Sequence, residues 1–591
     1  MTETYQTGSW NLEELFSSPE SKEVESAIKQ LETFAEDFEG WREKLTPDMG
    51  YEDFMDCLDL QEKNTRVIAR LFQYSYLNFS GDTQDQNAQA FVAKIQQFGA
   101  DLENQTLFFG LWWKALDSEA ADRLMKDTGD FEYWLRNMRN FKPYTLTEPE
   151  EKIINVKNVT GSNALQNLYT SITNRYVYKI EVDGEEKEMT RGELMSHVQS
   201  PDADLRARAY QKLYQVYGDD GPILGQIYQS FVKDFHNENV KLRGMKSTIS
   251  ARNLANDLPD EVVETLMDVA QKNSGIFQKY FKLKAKWLKV DKLRRYDIYA
   301  PVAKADKKYS YDEAVNMVLE SFREFDPDFE NLAKQVFEKE HIDSKVVKGK
   351  MGGAYNYGAD PALLPYVLIN YNDQPRDVAT LAHELGHSLH SILASEHNIF
   401  ASGSSLPLAE TASTFAEMVL TDKLLAEEKD AGVRRDILFA QMDDAFATIL
   451  RQIFFALFER EAHDLSMKGA TIDEMNAAYL KNLETQFGDA VEISEEFKWE
   501  WVSIPHIYDR PFYVYAYAFG QLLVMALYQQ FKKEGAPFVP RYKELLSAGT
   551  SMSPMNILDR AGVDVRKAEF WQGGFDVIAE MLEKLESIPV E

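Results

Sequence analysis

The sequence predicts a mainly α-helical, multi-lobed chain with a small β-sheet beside a helix that carries a His-Glu-x-x-His motif. Three observations carry that prediction. Apolar residues recur at helical spacing over most of the 591 residues. Strand-like runs are few and gather at about 345–371, with one hairpin pattern near 178–187. Directly after the 345–371 strands, His383-Glu384-Leu385-Gly386-His387 falls on a stretch of helical periodicity.

In chain order, residues about 20–45, 50–80, 85–117 and 148–175 read as amphipathic helices rich in Leu, Phe, Gln and Glu. Tyr178 to Lys187 reads as a hairpin turning at Asp183-Gly184, a pair suited to the positive φ angles of a tight turn. After Ser200-Pro201 another helical block runs from Ala203 towards Lys241. This places a boundary near 190–200, between a helical domain 1–195 and a larger domain 196–591. Helices resume at 260–290, 311–323 and 434–467. The apolar run Pro365–Tyr371 reads as a strand and Asn372-Asp373-Gln374-Pro375 as a turn. Asp377 then opens a helix that carries Val378, Leu381, Leu385 and Leu389 on one face.

Composition bounds the class. Hydrophobic residues make up 44% of the chain, enough for a deep core in two or three lobes around a cleft. A formal net charge of −31 argues against nucleic acid or an anionic membrane as the main partner. The single cysteine, Cys57, excludes an intrachain disulfide framework and suits a reducing cytoplasm. Met1-Thr2-Glu3-Thr4-Tyr5-Gln6-Thr7 lacks the basic and apolar regions of a signal peptide, and no uncharged run reaches transmembrane length. A cytoplasmic location is therefore expected.

The chemistry is concentrated in the motif. At this spacing His383 and His387 lie one turn apart on one helix face, so both rings can reach a single metal ion. Glu384 then stands where a base is needed for a water activated by zinc. Two histidines do not close a catalytic zinc site, so a third ligand is required. Glu410 is favoured. It lies on a segment reading as helical from about Leu408, among small residues (Ala409, Thr411, Ala412, Ser413) that permit close approach. Glu396 and Glu417 are the rival carboxylates. Glu396 lies near the end of the first helix, and Glu417 is better placed to orient a ligand.

Two further segments bear on substrate. His506 to Gly520 is rich in tyrosine, and an imidazole N–H or phenol O–H suits the oxyanion formed in amide hydrolysis. If Pro511 opens a helix, Tyr513 and Tyr517 share a face, with Tyr515 the third candidate. Gly352-Gly353-Ala354 offers a strand edge with little side-chain bulk, against which an extended peptide can add as another strand. A simple turn before the Tyr355 strand is the alternative.

The run Val367 to His390, with Asn370-Tyr371, Arg376-Asp377-Val378 and Leu381 to His390, resembles the M3 family of zinc peptidases, and its oligoendopeptidase F branch in particular. Leu408 to Ser413 resembles that branch's third-ligand segment, Lys350 to Tyr355 its glycine-rich segment, and Leu545 to Pro554 a C-terminal signature. The resemblance implies one Zn²⁺ per chain on His383, His387 and Glu410, with Glu384 as catalytic base. It also implies an active-site histidine at His506 and substrate-facing tyrosines in the same cluster. By the same resemblance, helical lobes enclose a deep channel that admits short flexible peptides, which are cut internally. Two rivals are a zinc exopeptidase, and a peptide-binding scaffold with a vestigial motif.

Overall fold

The computed structural model describes residues 4–302 and 307–590. Met1, Thr2 and Glu3 of the N-terminal stretch read above lie outside those residues. Over the described residues the chain is mostly helical with three small sheets. It forms two compact units, each built from three stretches: 1–142, 307–427 and 530–564 in one, 143–306, 428–529 and 565–591 in the other. No described helix is long and apolar enough to cross a membrane.

The first unit begins with three long helices, Lys22–Glu39, Tyr51–Gly81 and Gln86–Ala115, close to the expected ranges. Ser21 and Asp85 cap two of them by accepting backbone N–H groups. Leu31, Phe38, Phe54 and Leu58 are fully buried in one cluster. Each such side chain stabilises by about 1.5–3 kcal/mol. Tyr366 joins this cluster and Phe400 packs against it, so the helical core supports both the sheet and the loop after the motif helix.

That sheet has the spatial order Ile342–Asp343, Tyr366–Leu368, Tyr355–Tyr357. The central strand runs parallel to the first and antiparallel to the last, with Tyr355 opposite Leu368. All three of its residues are buried, which explains an apolar run without alternation. Tyr355–Tyr357 is left as an edge strand.

The turn that follows is set by Asp377. Its Oδ2 accepts the N–H of Asn372 (2.7 Å) and of Gln374 (3.0 Å), and Pro375 occupies the first helical turn, where an N–H is not needed. The motif helix, Pro375–Leu393, buries Val378, Leu381, Leu385 and Leu389. It packs on Ser413–Glu427 and on Tyr311–Phe325.

In the second unit the hairpin forms as expected. Its strands Tyr178–Val182 and Glu185–Met189 are joined by Asp183 (φ 55°) and Gly184 (φ 81°). Several long helical blocks are divided. The block 148–175 breaks at Gly161, and 260–290 breaks at Asn273. The block 203–241 splits into Ala203–Asp219 and Gly221–His236, then winds into a π-helical turn. Pro222 has no N–H to continue the earlier helix. Gly218 and Gly221 also leave room for Trp499, whose ring atoms would lie 2.8 and 2.4 Å from an added Cβ. The block 434–467 becomes Ala431–Ala445 and Arg451–Lys468, joined by a π-helical turn at Phe446–Leu450.

Candidate metal centre

The motif helix turns His383 and His387 towards one carboxylate. His383 Nε2 lies 3.4 Å and His387 Nε2 3.5 Å from Glu410 Oε2. Tetrahedral zinc with bonds of about 2.0–2.1 Å holds its ligand atoms roughly 3.3–3.4 Å apart, so these three side chains fit a shared metal. Among the described residues they form the one group of this kind.

The surrounding groups fix those donors. His383 Nδ1 lies 2.6 Å from Glu417 Oε1, which leaves Nε2 for the metal. Ser413 Oγ donates to Glu410 Oε2 at 2.7 Å. Burial works against a charged His383, but Glu417, with Glu384 and Glu410, raises its pKa to about 9. Burial instead lowers His387 to about 4, although Glu410 opposes it. Three carboxylates around two imidazoles thus make a setting that favours a cation. Glu384 is buried, its Oε2 has no hydrogen-bond partner, and burial pushes its carboxyl up to about 7. Glu417→Ala should lower metal affinity about 10–100-fold. Competition with a chromophoric chelator measures this, and an unchanged affinity would remove Glu417 from the site.

The backbone around Glu410 differs from expectation. Leu406–Leu408 is a 3-10 turn, Ala409–Ala412 continues as a turn, and regular helix begins only at Ser413. The Thr411 N–H bonds to Leu408 O, three residues back, which is the tighter winding of a 3-10 segment. Glu410 therefore projects from a turn rather than from a helix.

A cavity of about 580 Å³ opens beside the donors. Ala354 and the edge strand Tyr355–Tyr357 line one side, and the loop residues Ile399 and Ser402–Ser404 line another part. Asn356 Nδ2 donates to Ser388 Oγ (2.6 Å) and to Glu384 O (3.3 Å), which fastens the strand to the motif helix. Of the glycine-rich segment, Ala354 lines this cavity. Gly352 and Gly353 form the turn leading to it, with Gly353 at φ 85° and its carbonyl held by Asn370 Nδ2. The roles of Asn356 and the 399–404 loop are not among those expected from the sequence. The aromatic–polar–aromatic alternation of Tyr355-Asn356-Tyr357 was the available signal for the first.

The second unit gathers His506, Tyr513 and Tyr517. The His506 and Tyr513 rings are nearly parallel with centroids 5.9 Å apart, and Tyr517 stands edge-on to both at 6.1 and 5.3 Å. His506 and Tyr517 are exposed and Tyr513 is half-buried. Partial desolvation lowers the His506 pKa. The helix expected from Pro511 starts instead at Tyr515, after a turn in which Phe512 adopts φ 60°. Tyr515 is corrected from substrate contact to packing. It is fully buried, accepting Asn256 Nδ2 and donating to Asn253 Oδ1, both at 2.8 Å.

A His-Glu-x-x-His helix with a carboxylate third donor, beside a cavity bordered by an open strand edge, defines a metallopeptidase. The Peptidase family M3 model matches residues 196–577, most of the chain, and the chain belongs to that family. An Oligopeptidase F model matches residues 112–178. Oligopeptidase PepF of Bacillus subtilis is 28% identical over 98% of this chain and 87% of its own. Group B oligopeptidase PepB of Streptococcus agalactiae is 29% identical over 98% and 96%. Oligoendopeptidase-F from Enterococcus faecium shares the fold, with a TM-score of 0.72 and 24% identity over 96% of this chain and 99% of that one. The chain is accordingly a metallopeptidase, with peptides as substrates.

Proposed function

We propose that this chain is a zinc-dependent oligoendopeptidase that cuts internal bonds of short, unstructured peptides. The spacing of the His383, His387 and Glu410 donor atoms carries the reading, because it suits zinc in a three-ligand site with a position left open. When bound, the ion supplies Lewis-acid polarisation and a lowered pKa for water. Glu384, with its free Oε2 in a near-neutral setting, takes the proton of the attacking water and returns it to the leaving amine nitrogen. Ala354 and the edge strand Tyr355–Tyr357 offer main-chain groups to an extended peptide, which supports sequence-tolerant binding. His506, Tyr513 and Tyr517 are the proposed donors to the carbonyl oxygen, supported by their shared aromatic cluster and exposure.

The Bacillus subtilis and Streptococcus agalactiae relatives, both named oligopeptidases, support short substrates. In sequence, we place a helical domain 1–195 before a catalytic domain 196–591; family models that end at 178 and begin at 196 support a boundary there, although each compact unit of the fold takes residues from both sides of it. The lone, buried Cys57, its thiol pushed up to about 12 by burial, is consistent with a reducing cytoplasm.

The test is mass spectrometry of a random peptide mixture blocked at both ends. Internal cuts that disappear on chelation and return with Zn²⁺ are expected. Survival of blocked peptides while unblocked ones are trimmed from an end would transfer the assignment to an exopeptidase.

A further inference from the structure

We propose that the loop Ile399–Ser404 is a specificity-determining wall of the cavity, and that Gly549-Thr550 holds it in place. This rests on the reading of the cavity as the substrate site. Ile399, Ser402, Gly403 and Ser404 line the cavity, so their position sets how large a substrate side chain is admitted beside the metal donors. One apolar residue and three small ones leave space there for a bulky substrate side chain.

The loop has little secondary structure of its own, and its placement comes from elsewhere in the same unit. The Thr550 N–H donates to Ala401 O at 2.7 Å, and Thr550 Oγ1 donates to Phe400 O at 3.2 Å. Gly549 has φ 52°, and a Cβ there would lie 2.3 Å from Ala401 O and 3.1 Å from Gly403 O. The loop backbone thus rests directly on this glycine, and no side chain fits between them. At the loop's entry His397 Nε2 donates to Ser547 O at 3.0 Å, while Nδ1 lies 3.1 Å from Asp130 Oδ1. Asp130 Oδ2 also accepts the Asn398 N–H, and Trp134 stacks on Phe400 with centroids 4.2 Å apart. Every polar tie from the 547–550 stretch to this region ends on the loop or its entry. None of these side chains is among the metal donors, so Thr550 acts as a positioning residue.

The experiment compares cleavage profiles on blocked peptides that vary at one position from glycine to tryptophan. Wild type, Thr550→Val, Thr550→Ser, Gly549→Ala and Glu384→Gln are assayed, with metal content measured for each. Thr550→Val and Gly549→Ala should change the preference between small and large side chains by about tenfold, mainly through KM, at full metal content. Thr550→Ser keeps the hydroxyl and should retain the wild-type profile, and the contrast between Thr550→Val and Thr550→Ser decides the matter if Gly549→Ala fails to fold. Unchanged profiles in Thr550→Val and Gly549→Ala would overturn the proposal, as would a uniform fall in kcat at every peptide. Should the wild type cut no better than Glu384→Gln, the peptidase reading itself has failed. That outcome is distinct from an unaltered profile in an active enzyme.

Discussion

Glu384→Gln is expected to lower kcat by about 10²–10⁴-fold while the protein keeps its metal. The substitution preserves shape and removes the one property the proposed chemistry needs from this side chain, a basic oxygen. Glu384 Oε2 is buried without a partner, so no protein hydrogen bond depends on its charge. The metal donors are other side chains, held by Glu417 and Ser413 rather than by Glu384. Stability should therefore change little, since removing a buried carboxylate relieves the desolvation that already raises its pKa to about 7. Metal content by atomic spectroscopy and kcat on a blocked peptide make the test. Substantial turnover in the fully loaded variant would exclude Glu384 as the base, and a parallel loss of metal would show that the carboxylate mainly serves binding.

Local pattern and tertiary packing divided what could be read beforehand. The motif helix was legible because its start, its apolar face and its two histidines are all encoded within twenty residues, from Pro375 to Leu393. Glu410 was also legible as a carboxylate among small residues, but its turn was not, because a 3-10 segment and a helix share the same composition here. Long helical blocks hid their breaks because periodicity carries across Gly161 and Asn273 without interruption. Pro222 marked the break near Asp220 in the sequence itself. Tyr515 was misread for another reason. It entered as the third tyrosine of a local cluster, whereas its hydroxyl is taken up by Asn253 and Asn256, more than 250 residues away. The cavity loop escaped for a related reason, since its position is dictated by Gly549 and Thr550.

Gly386→Ala should sharply lower activity through loss of metal, by a route that replaces neither a metal donor nor the base. Gly386 lies between the two histidines, where glycine costs a helix roughly 0.8–1.0 kcal/mol relative to alanine, so by propensity alone the substitution would stabilise. Packing reverses the sign. A Cβ at this position would meet Ser413 Cα at 2.6 Å, Ala412 O at 2.7 Å and Ala412 C at 2.9 Å. These are backbone atoms, so no rotamer change relieves the clash and the two segments must move apart, at a cost of about 1–3 kcal/mol. Ser413 is the residue whose hydroxyl holds Glu410 Oε2, and Glu410 lies two residues before Ala412. A shift of a few tenths of an ångström or more there separates the carboxylate from His383 and His387. Metal affinity should then fall by at least about tenfold, by analogy with the loss of an orienting group around a metal ligand. The expected result is a folded protein with slightly reduced Tm, depleted metal and activity partly restored by excess Zn²⁺. An active, fully loaded Gly386→Ala protein would mean that the helix pair has slack, and that close backbone approach at residue 386 does not set the third ligand.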